Sequence, residues 1–220
     1  DLYNYSGRKI IENVLAVKAL VNTTKLSLSA LGDFFINLKK LCLDNSTITS
    51  VRDIGCTFYN LQYLSLNNCG ITSLNGIFTL SKNIEELYLQ SNLIKDVSDL
   101  MGMDKLRILD LTDNKIADVA NLQFLSCCNN LKILYFGKNP AVDNPSFQSD
   151  LQKYASQLKV ILNSKHEEKI NILRTQNLPK SNEIKVANVE SQPSLNSKQA
   201  KTEKIQDISQ IKKEDGKEND

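Results

Sequence analysis

The chain has 220 residues and a formal net charge of +2, with 41% hydrophobic and 24% charged residues. This length suits one domain with an appendage. Because the charge is near neutral, no field for polyanions is implied, and we expect no direct contact with nucleic acid. No apolar run is long enough to cross a bilayer, so we expect no membrane partner.

Residues 1–37 are predicted to form an N-terminal cap with a degenerate repeat. Ile10, Ile11, Val14 and Leu15 have helical spacing, and residues 25–28 alternate like an edge strand. The chain begins with Asp1 rather than Met, which favours a piece of a longer protein.

From residue 38 onward, one apolar pattern recurs in five copies, with steps of 23, 23, 22 and 25 residues between them. The copies begin at Leu38, Leu61, Ile84, Leu106 and Leu131. Each fits the template L-x-x-L-x-L-x-x-N/C-x-L with few departures, which is the leucine-rich repeat signature. The sequence therefore predicts an α/β, right-handed leucine-rich repeat solenoid over residues 38–163, with a parallel sheet on its concave face and capped ends.

Polar residues stand where each predicted strand turns. Asn92, Asn114 and Asn139 occupy this position in three copies, and Ser46 and Cys69 replace asparagine in the first two. We expect the amides to bond backbone groups of their own and the next coil, which would otherwise be buried unpaired. Short apolar pairs beyond each turn predict a helical turn on the outer wall; they lie within 51–54, 74–77, 97–100 and 119–122.

The C-terminal cap is predicted from one more apolar face. Phe147, Leu151, Tyr154 and Leu158 share one side of a helix, and residues 160–162 can add a last strand. Residues 164–220 lack aromatic side chains and mix both charges, so we expect them to form a disordered polar tail.

No arrangement of catalytic or metal-binding residues is found, so we expect no enzyme activity, no cofactor and no metal. The single histidine, His166, lies in the polar tail without a ligand cluster beside it. Four acidic residues of the third and fourth copies are expected to form a solvated acidic edge: Glu85, Glu86, Asp110 and Asp113. The odd number of cysteines, five, favours free and mostly buried thiols in a reducing compartment, with a strained Cys127–Cys128 disulfide as the alternative.

The outward positions of the predicted strands offer a candidate protein-binding site. They alternate with the core leucines and form columns across the sheet. Exposed aromatic and aliphatic side chains beside a few charges are typical of interface hot spots, although strand propensity alone also favours Tyr and Ile. The candidate residues are Tyr63, Glu86, Tyr88, Ile108, Asp110, Ile133 and Tyr135.

Two runs are less generic than the leucines: residues 50–55 (SVRDIG) and 68–71 (NCGI). Together with the runs 41–46, 61–64, 74–77, 86–89, 92–97, 109–111 and 119–122, they make residues 14–163 resemble the leucine-rich-repeat-containing protein 56 family, within the group of short, twenty-two-residue-type repeats. Ser156 departs from the proline of the family's terminal cap. The resemblance implies a cytoplasmic adaptor of the cilium or flagellum that assists assembly or intraflagellar transport of axonemal dynein arms.

Three other functions stay open. A phosphatase-regulator-like scaffold would have a similar repeat but typically more copies. A ribonucleoprotein-type scaffold would bind another protein rather than RNA. An enzyme whose catalytic domain lies outside this chain is the third.

Overall fold

The computed structural model describes residues 12–161, apart from Leu26 and Ser81, and the backbone of one strand at Glu183–Val186. The chain divides into two units, Asp1–Val189 and Glu190–Asp220, and the second lies wholly outside the described residues. The predicted disorder of residues 164–220 therefore concerns residues outside the described part of the chain, apart from the backbone of the strand Glu183–Val186.

One parallel sheet organises the fold. Its strands are β1 (Ala16–Ala19), β2 (Lys40–Cys42), β3 (Tyr63–Ser65), β4 (Glu86–Tyr88), β5 (Ile108–Asp110), β6 (Ile133–Tyr135), β7 (Lys159–Ile161) and β8 (Glu183–Val186). The order across the sheet is β7-β6-β5-β4-β3-β2-β1-β8, and every pair is parallel. Each coil thus adds one strand beside the last, and the predicted leucine-rich repeat solenoid is confirmed.

Short helical elements form the outer wall, as the short repeat predicts. The α-helices are α1 (Leu31–Phe34), α2 (Ile77–Leu80) and α3 (Phe147–Ala155), and the 3₁₀ helices are Val51–Ile54, Ser98–Leu100, Val119–Cys127 and Pro140–Asp143. Local caps start two of them: the Ser50 side chain accepts a hydrogen bond from Arg52 N at 3.2 Å, and Asp118 Oδ1 accepts one from Ala120 N at 2.8 Å.

Between the sheet and this wall lies a continuous apolar core. The middle leucine of each strand from β2 to β6 is buried with no exposed surface: Leu41, Leu64, Leu87, Leu109 and Leu134. Because each coil covers only part of its own apolar surface, neighbouring coils complete the burial for one another. This core is what aligns the strands and therefore fixes the columns of the concave face.

The turn asparagines join successive coils. Asn92 Oδ1 accepts from Cys69 N and Ile71 N at 3.0 Å each, while its Nδ2 donates to Leu66 O and Leu89 O at 2.9 Å each. Asn114 and Asn139 repeat this pattern one and two coils later. The predicted role is confirmed, but the neighbour is the preceding coil rather than the next one.

A second asparagine column, not predicted from the sequence, lies before four of the strands, β2, β3, β4 and β6. The amides of Asn37, Asn60, Asn83 and Asn130 donate to a backbone carbonyl of the preceding coil, with distances between 2.5 and 3.2 Å. In the coil that lacks this asparagine, Lys105 Nζ donates to Asn83 Oδ1 at 2.6 Å. The signal was in the sequence: these residues each precede the first apolar position of their copy.

The N-terminal elements differ from the prediction. Val14 and Leu15 lead into β1 rather than a helix, and the described part of residues 25–28 is not a strand. Ile10 and Ile11 lie outside the described residues. Val14 and Val17 are buried and take the positions of Leu38 and Leu41 in a repeat that precedes the first recognised copy. Pairing with β2 outweighs the weak helical spacing, since a strand there extends the core.

The C-terminal cap follows its prediction. Helix α3 buries Phe147, whose ring stacks on Phe136 of the last repeat with centroids 6.1 Å apart. Leu158 lies beyond the end of the helix, and β7 begins at Lys159, one residue earlier than expected. The helix and the strand together cover the last coil.

Candidate functional site

The register of the sheet places the predicted outward residues in two columns. The first column contains Lys40, Tyr63, Glu86, Ile108 and Ile133, and the second contains Cys42, Ser65, Tyr88, Asp110 and Tyr135. The alternation predicted from the sequence is confirmed at every position. We call the seven candidate residues of these columns the concave patch: Tyr63, Glu86, Tyr88, Ile108, Asp110, Ile133 and Tyr135.

The two columns differ in exposure. All five members of the first column are half-buried. In the second, Tyr135 is half-buried, but Tyr88 is only 5% exposed and Asp110 is fully buried. The expectation that Tyr88 and Asp110 present open surface is wrong, because side chains of adjacent strands cover them. A partner therefore meets chiefly Tyr63, Glu86, Ile108, Ile133 and Tyr135.

Aromatic rings and charged groups contact one another in the N-terminal half of the concave patch. The rings of Tyr63 and Tyr88 lie 5.2 Å apart at a 40° angle, which is a favourable tilted contact. Lys40 Nζ lies 5.8 Å from the centre of the Tyr63 ring, within the range of a cation–π contact. The Tyr88 hydroxyl donates to Glu86 Oε2 at 2.9 Å. These contacts restrict the rings before any partner binds.

Asp110 lies at the centre of the patch. The register puts it between Tyr88 and Tyr135, and its Oδ1 accepts a hydrogen bond from Thr112 N at 2.9 Å. It is therefore a buried acid that stabilises the local backbone, and the predicted solvated acidic edge is wrong at this residue. Glu85 is half-buried rather than fully solvated, and its Oε2 lies 3.4 Å from Arg107 Nη1 across the coil boundary.

A polar network borders the patch on the side where the strands end. Asp44 Oδ1 accepts from Ser65 Oγ at 2.6 Å and from Asn67 N at 2.8 Å. Asn67 Oδ1 in turn accepts from Gln90 N at 2.8 Å. The sequence placed Asp44, Asn67 and Gln90 in one outward column but did not show that they bond one another. Because these groups satisfy each other, this border is a rigid edge of the patch.

The residue after this border has a left-handed backbone in each of the five recognised copies. The five positions are Asn45, Asn68, Ser91, Asp113 and Lys138, with φ between 53° and 63°. Asparagine and aspartate tolerate this region better than most residues, which explains three of the five. Asp113, expected to be solvated, instead accepts a hydrogen bond from Ser91 Oγ at 2.8 Å.

All five cysteines are free thiols, and Cys127 and Cys128 are not bridged. Two are buried, one is half-buried, and Cys56 and Cys127 are exposed, so fewer are buried than expected. Burial raises the pKa of Cys69 to about 12, and burial with the nearby Asp44 carboxylate raises that of Cys42 to about 11. Neither thiol is a nucleophile near neutral pH, since the thiolate is the reactive form.

Among residues 12–161 as described, no group of histidine, cysteine and carboxylate side chains could hold a metal ion. No helix within the described chain is both long and apolar enough to span a membrane. His166 falls outside the described residues. The concave patch thus combines aromatic and aliphatic surface with fixed charges, an arrangement suited to recognising a protein surface.

Comparison with known families and structures agrees with this geometry. The family model described as "Leucine Rich repeats (2 copies)" matches residues 59–101 and 82–123. A leucine-rich repeat protein of Leptospira interrogans is 25% identical, with a TM-score of 0.51, over 61% of this chain and 33% of that one. Internalin C2 of Listeria monocytogenes is 22% identical, with a TM-score of 0.46, over 63% of this chain and 66% of that one.

The chain therefore spans 33% of the length of the Leptospira protein and 66% of the length of internalin C2. No curated protein matches this sequence. The family model and the Leptospira structure agree with the repeat and the fold of this chain.

Proposed function

Because this chain has a leucine-rich repeat fold, we propose that it is a non-enzymatic adaptor that binds a protein partner on the concave patch. Leucine-rich repeat proteins generally act as protein-interaction scaffolds. The observation that carries the proposal is the first column, where Tyr63, Ile108 and Ile133 lie half-buried on the concave face of the sheet.

The chemistry of the patch favours a mixed apolar and charged partner surface. Tyr63 and Tyr135 offer large rings with few rotatable bonds, so contact with them costs little side-chain entropy. Ile108 and Ile133 lie next to each other across β5 and β6 and supply apolar area. Glu86 is already bonded to Tyr88, which holds its carboxylate in place for a basic group of the partner.

For the partner itself, we propose outer dynein arm or intraflagellar transport components, in the cytoplasm of a cilium or flagellum. This step rests on the sequence resemblance of residues 14–163, carried above all by the runs 50–55 and 68–71. The net charge of +2 fits a protein partner better than nucleic acid, whose binding depends on neutralising many phosphates.

The binding site is tested with a Tyr63→Ala, Tyr135→Ala double variant. Truncating two hot-spot tyrosines weakens partner affinity by at least about 1 kcal/mol, while far-ultraviolet circular dichroism stays unchanged. Tyr59→Ala is the matched control, since Tyr59 is 70% exposed and lies outside the two columns. Equal affinity of the double variant and the control would move the site off the concave patch.

The partner is tested by capture from ciliated-cell extract, with outer dynein arm and intraflagellar transport subunits quantified by mass spectrometry. We expect these subunits to be enriched on the wild-type chain and depleted on the double variant. Tagged protein found only in nuclei, with no dynein subunit enriched, contradicts the ciliary proposal and favours the ribonucleoprotein-type scaffold.

A further inference from the structure

The strand Glu183–Val186 lies far along the chain from the repeats, yet it extends their sheet. It pairs in parallel with β1, with Ala16 opposite Glu183, Val17 opposite Ile184, Lys18 opposite Lys185 and Ala19 opposite Val186. The C-terminal part of the chain thus supplies the strand next to the first coil. The solenoid is extended at its N-terminal edge by a segment that follows its C-terminal cap.

The register of β8 agrees with the pattern of the repeats. Ile184 shares the row of Val17, Leu41 and Leu64, which are all buried core residues. Lys185 shares the row of Lys18, which is exposed. The segment alternates charged and apolar residues, and its apolar residues take core rows while its charged ones take outward rows. A slip by one residue would reverse this match, so the pairing is specific.

Without β8, the strand β1 would lie at the edge of the sheet. A strand at the edge of a sheet presents unpaired backbone groups that can template pairing with another chain. β1 carries one charged residue, Lys18, among two alanines and a valine, which gives little protection by charge. The linker of residues 162–182 would span up to about 70 Å if it were fully extended. The sheet of eight strands is roughly 34 Å wide at the usual strand spacing, so the linker is long enough to connect β7 at one edge to β8 at the other.

We propose that Glu183–Val186 is an intramolecular capping strand, which occupies the β1 edge and prevents a second copy of this chain from pairing there. The observation behind it is the register match, which is independent of the concave patch and of the proposed partner. Release of the segment opens a parallel β-strand docking edge, and the occupant that then competes for it is another copy.

The test uses the full chain with an Ile184→Pro, Lys185→Pro double substitution. Proline has no backbone N–H, and two consecutive prolines remove the donor from whichever residue bonds β1. The matched control is Ser191→Pro, which places one proline in the same segment of sequence but beyond β8. Hydrogen exchange of the β1 amides and molar mass by light scattering are then compared for the three proteins.

We expect the β1 amides that bond β8 to exchange faster by about tenfold or more in the double variant. The alternate β1 amides, which bond β2, and the β4 amides should stay unchanged, since only the edge is opened. The molar mass should rise with concentration toward a dimer, and a peptide of residues 180–189 should restore both protection and the monomer. The control should behave as wild type. Unchanged β1 exchange overturns the capping strand, and faster exchange in a chain that stays monomeric overturns its role against self-association.

Discussion

The same strands form the core face and the concave face of the sheet, but the burial of a side chain is uniform along the core face and varies along the concave face. On the core side, Leu64, Leu87 and Leu109 are all fully buried, so one repeat position has one environment. On the concave side, neighbours in one column range from the buried Asp110 to the half-buried Tyr135. Core burial follows from the period alone, whereas concave burial depends on which side chain the adjacent strand supplies.

The largest effect should come from the core. Leu87→Ala leaves a cavity between two complete coils, and we expect the free energy of unfolding to fall by about 2–5 kcal/mol. Leu93→Ala is the control, because Leu93 is 46% exposed and should change stability by no more than about 0.5 kcal/mol. Denaturant unfolding measures both, and a loss below about 1 kcal/mol at Leu87 would show that its site can collapse.

The second-largest loss of stability is expected at the turn asparagines. Asn114→Ala leaves Ile94 N without its acceptor, whereas Leu89 O and Leu111 O keep their bonds to Asn92 and Asn139. We therefore expect a loss of about 1–3 kcal/mol, the cost of one such buried group. Asn60→Ala removes an exposed bond to Ile36 O and should cost no more than about 1 kcal/mol. Similar losses at the two positions would mean that burial does not separate the two asparagine columns.

A smaller effect is expected within the concave patch. Tyr88→Phe keeps the ring against Tyr63 and deletes only the hydroxyl that bonds Glu86, so stability should fall by about 0.5–1.5 kcal/mol. Tyr59→Phe at the exposed tyrosine should leave it unchanged. Should Tyr88→Phe unfold at the same denaturant concentration as wild type, the hydroxyl bond adds nothing and Glu86 is free to turn toward a partner.

The thiols should show the smallest change in stability. At pH 8, iodoacetamide should modify Cys56 and Cys127 while leaving Cys69 unmodified in the folded chain, because Cys69 is buried and its pKa is raised to about 12. The doubly modified protein should unfold within about 0.5 kcal/mol of wild type, since both sites are on the surface. Peptide mapping reads the sites, and early modification of Cys69 contradicts its burial.

The raised pKa of Cys69 also predicts how the stability of the fold changes with pH. A thiol whose pKa is higher in the folded than in the unfolded state stabilises the fold below pH 9 and loses this contribution as pH rises toward about 12. Stability should therefore decline in that alkaline range. Cys69→Ala should show a shallower decline than wild type in the same denaturant series.

By itself, the sequence determined the repeat, the core rows and the columns of the concave face. Each depends on spacing between residues of one chain, because strand alternation and coil length convert position directly into direction. It also located the turn asparagines, since a buried turn must satisfy its backbone groups. The second asparagine column carried the same kind of signal at positions 37, 60, 83 and 130.

Only the tertiary structure decided how deep each outward residue lies and what closes the N-terminal edge. The sequence predicts a surface acid at Asp110, but the residue is fully buried, and its register neighbours Tyr88 and Tyr135 come from other coils. The strand β8 has only four residues, and a run of that length is too short to predict a strand from the local sequence. Their pairing with β1 joins segments more than 160 residues apart, and contact across that separation is a property of the folded sheet rather than of local spacing.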